Sequence, residues 1–199
     1  PSPAGPPPCA AMEPTGPRLQ LAVLAADGGV DLVSEPMDKG QAEAIFPAIA
    51  GLLERNGVAY ADLGRIPVTT RPGSFTGLRI GLSAARGLGL ALGLPVVGVP
   101  TLVALSLTGP DAPFRLVLDA RRNEAYAQDF SAPAHPAGPA ALIAVSGEGF
   151  TPPDVSIAAL ARFAATVDPA AFPPDPFYLR DADAKPQDAA RLPRRAGGA

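Results

Sequence analysis

Tryptophan is missing from these 199 residues, and cysteine and histidine occur once each. A lone cysteine, Cys9, excludes an intramolecular disulfide. The lone histidine, His135, lies in the Pro/Ala/Gly stretch 132–139 with no cysteine or second histidine beside it, so no thiol or imidazole ligand set forms around it. No motif places a nucleophile near His135 either, which leaves it as a surface-loop residue and removes a histidine-centred hydrolase from consideration. Positive charge is also short: 16 Lys and Arg stand against 19 Asp and Glu, for a net charge of -3. Such a chain has no overall basic field to hold a phosphate backbone, so contact with nucleic acid is expected through a partner. No apolar run is long enough to span a bilayer and no charged-then-apolar leader is visible; a reducing cytoplasm is the expected setting, with no membrane contact, no metal and no cofactor.

What the chain has in excess is proline, 26 residues, and glycine, 21 residues, gathered near both ends and between Ala132 and Pro153. Five of residues 1–8 are proline, and the stretch is expected to be a disordered N-terminus. Arg18–Leu24 and Gly29–Val33 are apolar runs joined through Asp27-Gly28, a hairpin signal. Cys9–Glu13 is a candidate third strand, which the bracketing Pro8 and Pro14 would keep short or at an edge. From Gln41 the period changes: Ala42, Ile45, Phe46, Ile49, Leu52 and Leu53 form one helical stripe, stopped by Asn56-Gly57. Pro47 inside it removes a backbone bond, so a bend or an early first turn is expected.

Ile66–Thr69 reads as a strand, Ser74–Leu92 as a helix and Val96–Val99 as another strand. Phe114–Asp119 and Glu124–Phe130 form a second hairpin across residues 120–123, and Ser156–Val167 is the last helix. Antiparallel strands followed by strand-helix alternation point to an α/β domain of the ribonuclease-H-like type: a mixed sheet with flanking helices and a smaller second lobe. The expected division is a first lobe at 9–104, a second at 105–183 and a loose tail at 184–199.

The stretch 69–81, from a strand through Pro72-Gly73 into a helix start, carries the most information. Free N–H groups in the first helical turn, with the Ser74 and Thr76 hydroxyls and Arg79 nearby, make an anion or nucleotide site; alternatively Ser74 is simply an N-cap. Neither a P-loop nor a dinucleotide fingerprint is present. The helix holds Gly77, Gly81, Gly87 and Gly89, each costing roughly 0.5–1 kcal/mol relative to alanine. Glycine at Gly77 and Gly81, in line with Ala85, is explained if another backbone comes close. That neighbour is either the sheet beneath or a helix of another chain, for which Leu78, Leu82, Leu88 and Leu92 give a further apolar face.

The run Pro72-Gly73-Ser74-Phe75-Thr76-Gly77-Leu78-Arg79-Ile80-Gly81, continuing through Ala84-Ala85-Arg86-Gly87-Leu88 to residues 94–102, resembles the signature of the TsaB (YeaZ) family. Gln41-Ala42-Glu43, the stretch from Leu118 to Tyr126, and Phe177-Tyr178-Leu179-Arg180 resemble it too. The resemblance implies an actin-like form of the ribonuclease-H-like fold and a non-catalytic subunit of the machinery that makes threonylcarbamoyladenosine beside the tRNA anticodon. It implies a heterodimer with a TsaD-type catalytic subunit through a four-helix contact, here helices 41–56 and 74–92. The implied partner-binding residues are Gln41, Ile45, Phe46, Ile49, Gly77, Leu78, Gly81, Leu82 and Ala85. A TsaE-type ATPase belongs to the larger complex, a TsaC type of enzyme supplies threonylcarbamoyl-adenylate, and tRNA is met only indirectly. Two departures stand out: Glu13 and Pro14 occupy the place of an Asp-Thr-Ser-like turn, which weighs against nucleotide binding there, and Arg71 replaces the usual glycine.

An enzyme is the competing class, either an actin-like nucleotide-binding protein or a glycoprotease-like hydrolase. Either would need phosphate-binding strand turns or a histidine pair. Asp119 and Glu124 are the one candidate carboxylate pair, though a turn flanked by Arg121 and Arg122 reads more simply as solvated. A third class is a homodimeric scaffold without a tRNA role, using the same helices isologously.

Overall fold

A computed structural model describes residues 6–14, 18–37, 39–72, 75–145 and 149–175. The expectations for residues 1–5, for the tail at 184–199 and for the Phe177–Arg180 motif lie outside the described residues.

Three strands open the fold: β1 (Cys9–Glu13), β2 (Arg18–Leu24) and β3 (Val30–Pro36). The β2–β3 turn closes on Asp27, whose carboxylate accepts the Gly29 N–H at 2.8 Å. Gly28 takes φ 86°, a left-handed conformation that glycine adopts without a Cβ penalty. Helix α1 (Gln41–Arg55) follows, then β4 (Ile66–Thr69), helix α2 (Phe75–Leu92) and β5 (Val96–Val99). The strands form one sheet in the order β3-β2-β1-β4-β5, with β1 antiparallel to β2 and parallel to β4. Strand β1 is thus short, as its prolines require, but central rather than at an edge. Pro8 and Pro14 fall just outside the ladder and remove no bond from it.

Period-two alternation divides this sheet between two cores. Ala10, Met12, Leu19, Leu21, Val23, Ile66 and Val68 pack with Ile45, Ile49, Leu52, Leu78 and Ala85 of α1 and α2. Cys9, Ala11, Ala22, Leu24, Val97 and Val99 face the other way. Strand β2 is buried on both faces for this reason, so its sequence is almost continuously apolar.

Helix α1 ends where Asn56-Gly57 predicts. The Gly57 N–H reaches the Glu54 carbonyl at 3.1 Å and the Val58 N–H the Leu53 carbonyl at 3.0 Å, a Schellman stop with Gly57 at φ 60°. Pro47 sits on the exposed side of a helix that runs on through it from Gln41 to Arg55. Asn56 and Arg55 tie this end to β3 by bonding Asp31 at 2.9 and 3.0 Å. Those bonds, Asn56's foremost, hold the Asp31 carboxyl below its ordinary range.

A six-residue helix, α3 (Thr101–Ser106), follows β5 and is buried throughout. The second sheet is built from β6 (Phe114–Arg121), β7 (Glu124–Ala132), β8 (His135–Pro136) and β9 (Ala141–Ala144), with β8 and β9 both pairing with β7. Helix α4 (Ile157–Thr166) starts at Ser156, whose hydroxyl accepts the Ala159 N–H at 3.3 Å. It returns to the first sheet and packs on β1 and β2, so the core opposite α1 and α2 combines Ile157, Leu160 and Ala164 with Leu116, Leu118 and Phe130 of the second sheet.

Candidate partner-docking groove

Helices α1 and α2 lie on the same face of the first sheet, and each spends one side on it. Between their outer sides runs a groove of about 400 Å³ lined by Ala42, Ile45, Phe46, Arg79, Ile80, Ser83 and Ala84. Phe46 is 45% exposed, an unusual position for a phenyl ring.

The structure distributes the sequence-derived candidates unevenly. Ile45 and Phe46 line the groove, and so does Arg79, which reading from sequence had assigned to an anion site. Gln41, Ile49, Gly77, Leu78, Gly81, Leu82 and Ala85 are buried in the chain's own core. Gln41 is spent locally, its amide donating to the Met37 carbonyl at 3.0 Å. The two neighbours open for the small-residue stripe therefore resolve to the intramolecular one. A methyl group at Gly81 would collide with the Pro14 ring and touch Val68 of β4, so the close approach that glycine allows is made by this chain's own sheet and the end of β1. Leu78 and Leu82 are core, and Leu88 and Leu92 are half-buried against the same cluster.

The outward face of α2 is the complementary one: Thr76, Arg79, Ser83, Arg86, Gly87 and Leu90 are exposed, Leu90 at 88%. Their three- and four-residue spacing gives one surface. Sequence reasoning missed Ala42, Ile80, Ser83 and Ala84 as groove residues because it weighted the most apolar positions, which a helix on a sheet turns inward. Of the anion-site candidates, Thr76 and Arg79 are exposed and Ser74 lies outside the described residues.

Other chemistry-bearing groups have structural partners. Asp119 accepts the Arg121 N–H at 2.7 Å, closing a hairpin tip in which Arg121, Arg122 and Asn123 all take positive φ. His135 is exposed, with Nδ1 2.7 Å from the Pro133 carbonyl. Burial pushes the Cys9 thiol up to about 12, against smaller lowering by the Leu24 backbone and Arg65, so it stays protonated at neutral pH. Among the described residues no three His, Cys, Asp or Glu side chains gather to hold a metal ion, and no helix is long and apolar enough to cross a membrane.

Antiparallel β1–β3, parallel β4 and β5, and helices on both faces define a ribonuclease-H-like domain of the actin-like class, here with an apolar groove on its two-helix side. The profile of the family described as "TsaD: tRNA N6-adenosine threonylcarbamoyltransferase" matches residues 20–148. The chain belongs to this family, and its relatives include the TsaB (YeaZ) members. It is 35% identical over 80 residues to the tRNA threonylcarbamoyladenosine biosynthesis protein TsaB of Escherichia coli, covering 40% of this chain and 35% of that protein. It is 46% identical over 86 residues to the tRNA N6-adenosine threonylcarbamoyltransferase of Sorangium cellulosum, covering 43% of this chain and 24% of that protein. The chain thus spans about a third or less of these two relatives. Among solved structures, YeaZ from Pseudomonas aeruginosa superposes with a TM-score of 0.62 at 26% identity, over 71% of each chain.

Proposed function

We propose that this chain is a non-catalytic subunit of the tRNA threonylcarbamoyladenosine machinery, and that it works by seating a TsaD-type subunit in the groove between α1 and α2. The observation that carries this reading is the groove itself, with Phe46 and Ile80 presented beside small residues Ala42, Ser83 and Ala84 that let a partner helix come close. Family membership supports the choice of partner, because the relatives carry both the TsaB and the transferase names. The burial of Leu78, Leu82 and Ala85 against the sheet supplies the mechanism: it fixes α2 rigidly, so the outer face is pre-organised and little ordering entropy is spent on docking. Transfer chemistry then belongs to the TsaD-type subunit, with a TsaE-type ATPase and tRNA joining through that subunit, in the cytoplasm. Self-association through the same groove is the competing occupancy.

The test is titration of the full chain with a TsaD-type subunit from the same source, beside the variant Ser83→Arg. Ser83 is exposed, so the variant keeps its fold, while a guanidinium pressed into an apolar contact weakens binding by about 2 kcal/mol or more, roughly thirtyfold. Equal binding by both proteins contradicts the assignment, and a measurable rate of tRNA modification by the isolated chain contradicts the non-catalytic role.

A further inference from the structure

Helix α2 carries two cations, Arg79 and Arg86, and no acidic residue, in a chain of net charge -3. Arg86 is one turn beyond Ser83 on the same side, so it extends the groove face toward exposed Leu90. Its Nη2 is 2.9 Å from Oδ1 of Asp175, with the two side chains 47% and 75% exposed.

Asp175 is delivered there by an anchored strap. The Phe172 carbonyl accepts the Gly98 N–H of edge strand β5 at 2.8 Å. The Phe172 ring meets Phe163 of α4 edge-on, with centroids 5.4 Å apart. Pro173 and Pro174 then pass so close to Gly98 that any side chain at Gly98 would strike their backbone. Two prolines in succession restrict how the chain leaves this anchor, so Asp175 is directed at the outer side of α2.

An exposed ion pair of this kind contributes little and exchanges easily. The same guanidinium covered by a docked partner becomes expensive unless a carboxylate stays on it. We propose that Arg86 determines the polar specificity of the docking face, that the partner supplies a carboxylate to it, and that Asp175 is the intramolecular placeholder which docking displaces. The proposal rests on the docking reading above. It names the partner by chemistry: an apolar helix bearing an Asp or Glu beside its contact face.

The experiment titrates the full chain with the TsaD-type subunit in four forms: wild type, Ser83→Arg, Arg86→Glu and Asp175→Asn. Thermal unfolding checks that each variant keeps its fold. Asp175→Asn is expected to bind about two- to fivefold more tightly, because the competing carboxylate is gone. Arg86→Glu is expected to bind at least about tenfold more weakly, with an affinity that improves rather than falls as salt is added. If Ser83→Arg abolishes binding while Arg86→Glu and Asp175→Asn bind as wild type, the Arg86 exchange is wrong and the groove reading survives. If none of the three changes the affinity, the docking reading itself fails.

Discussion

Gly81 and Gly87 stand six residues apart on one helix and have opposite surroundings. A methyl at Gly81 would run into Pro14, whereas one at Gly87 would meet nothing within 4 Å. The same contrast holds for leucines: Leu78 is 1% exposed and Leu90 88%. On the inner side of α2, side-chain size is dictated by the sheet. On the outer side the fold imposes no such limit, so what stands there answers to something other than this chain's own packing. Glycine in a helix is thus not in itself a mark of partner contact, and its neighbour has to be known before the residue can be read.

The contrast is sharpened by substitutions taken in pairs. Leu78→Ala should cost about 2–4 kcal/mol in denaturant unfolding, since the cavity would lie between α2 and the β1–β4 centre of the sheet. Gly81→Ala follows at about 1–2 kcal/mol: overpacking against a proline ring, which has no rotamer to move away, exceeds the helix propensity gained. Gly87→Ala should have the opposite sign, stabilising by about 0.5–1 kcal/mol from propensity alone. Leu90→Lys should change stability by less than about 0.5 kcal/mol. A destabilising Gly87→Ala, or a neutral Gly81→Ala, would mean that the two faces are not as different as the packing says.

Much of this was legible before any coordinates. The β2–β3 hairpin, α1 with its Asn56-Gly57 stop, β4, β5 and the β6–β7 hairpin all follow from pattern and turn chemistry: α1 and the β6–β7 hairpin repeat against one buried side, while β2, β4 and β5 are buried on both faces and read as continuous apolar runs. Helix α3 was not legible: Thr101–Ser106 is buried on every side, so it has no polar face to give it a period. Strands β8 and β9 lie in or beside the proline-rich stretch, where composition argues for loop, and they exist only because β7 offers an edge for pairing. The two helices that border the groove were legible as elements, but of the residues lining it only Ile45, Phe46 and Arg79 were singled out from the sequence. Apolar periodicity marks the side a helix buries within its own fold, and Leu78, Gly81, Leu82 and Ala85 belong to that side. Ala42, Ile80 and Ser83 are unremarkable in composition and acquire meaning only from their position across the groove.

Where a partner touches this surface tests its role most directly. Hydrogen exchange of the full chain should be measured with and without the TsaD-type subunit. Slowed exchange confined to residues 42–46 and 79–90 is the predicted result, with the second sheet unchanged. Protection that appears on β6 and β7 while the two helices exchange as before would contradict the claim that this chain acts through its outward helical face.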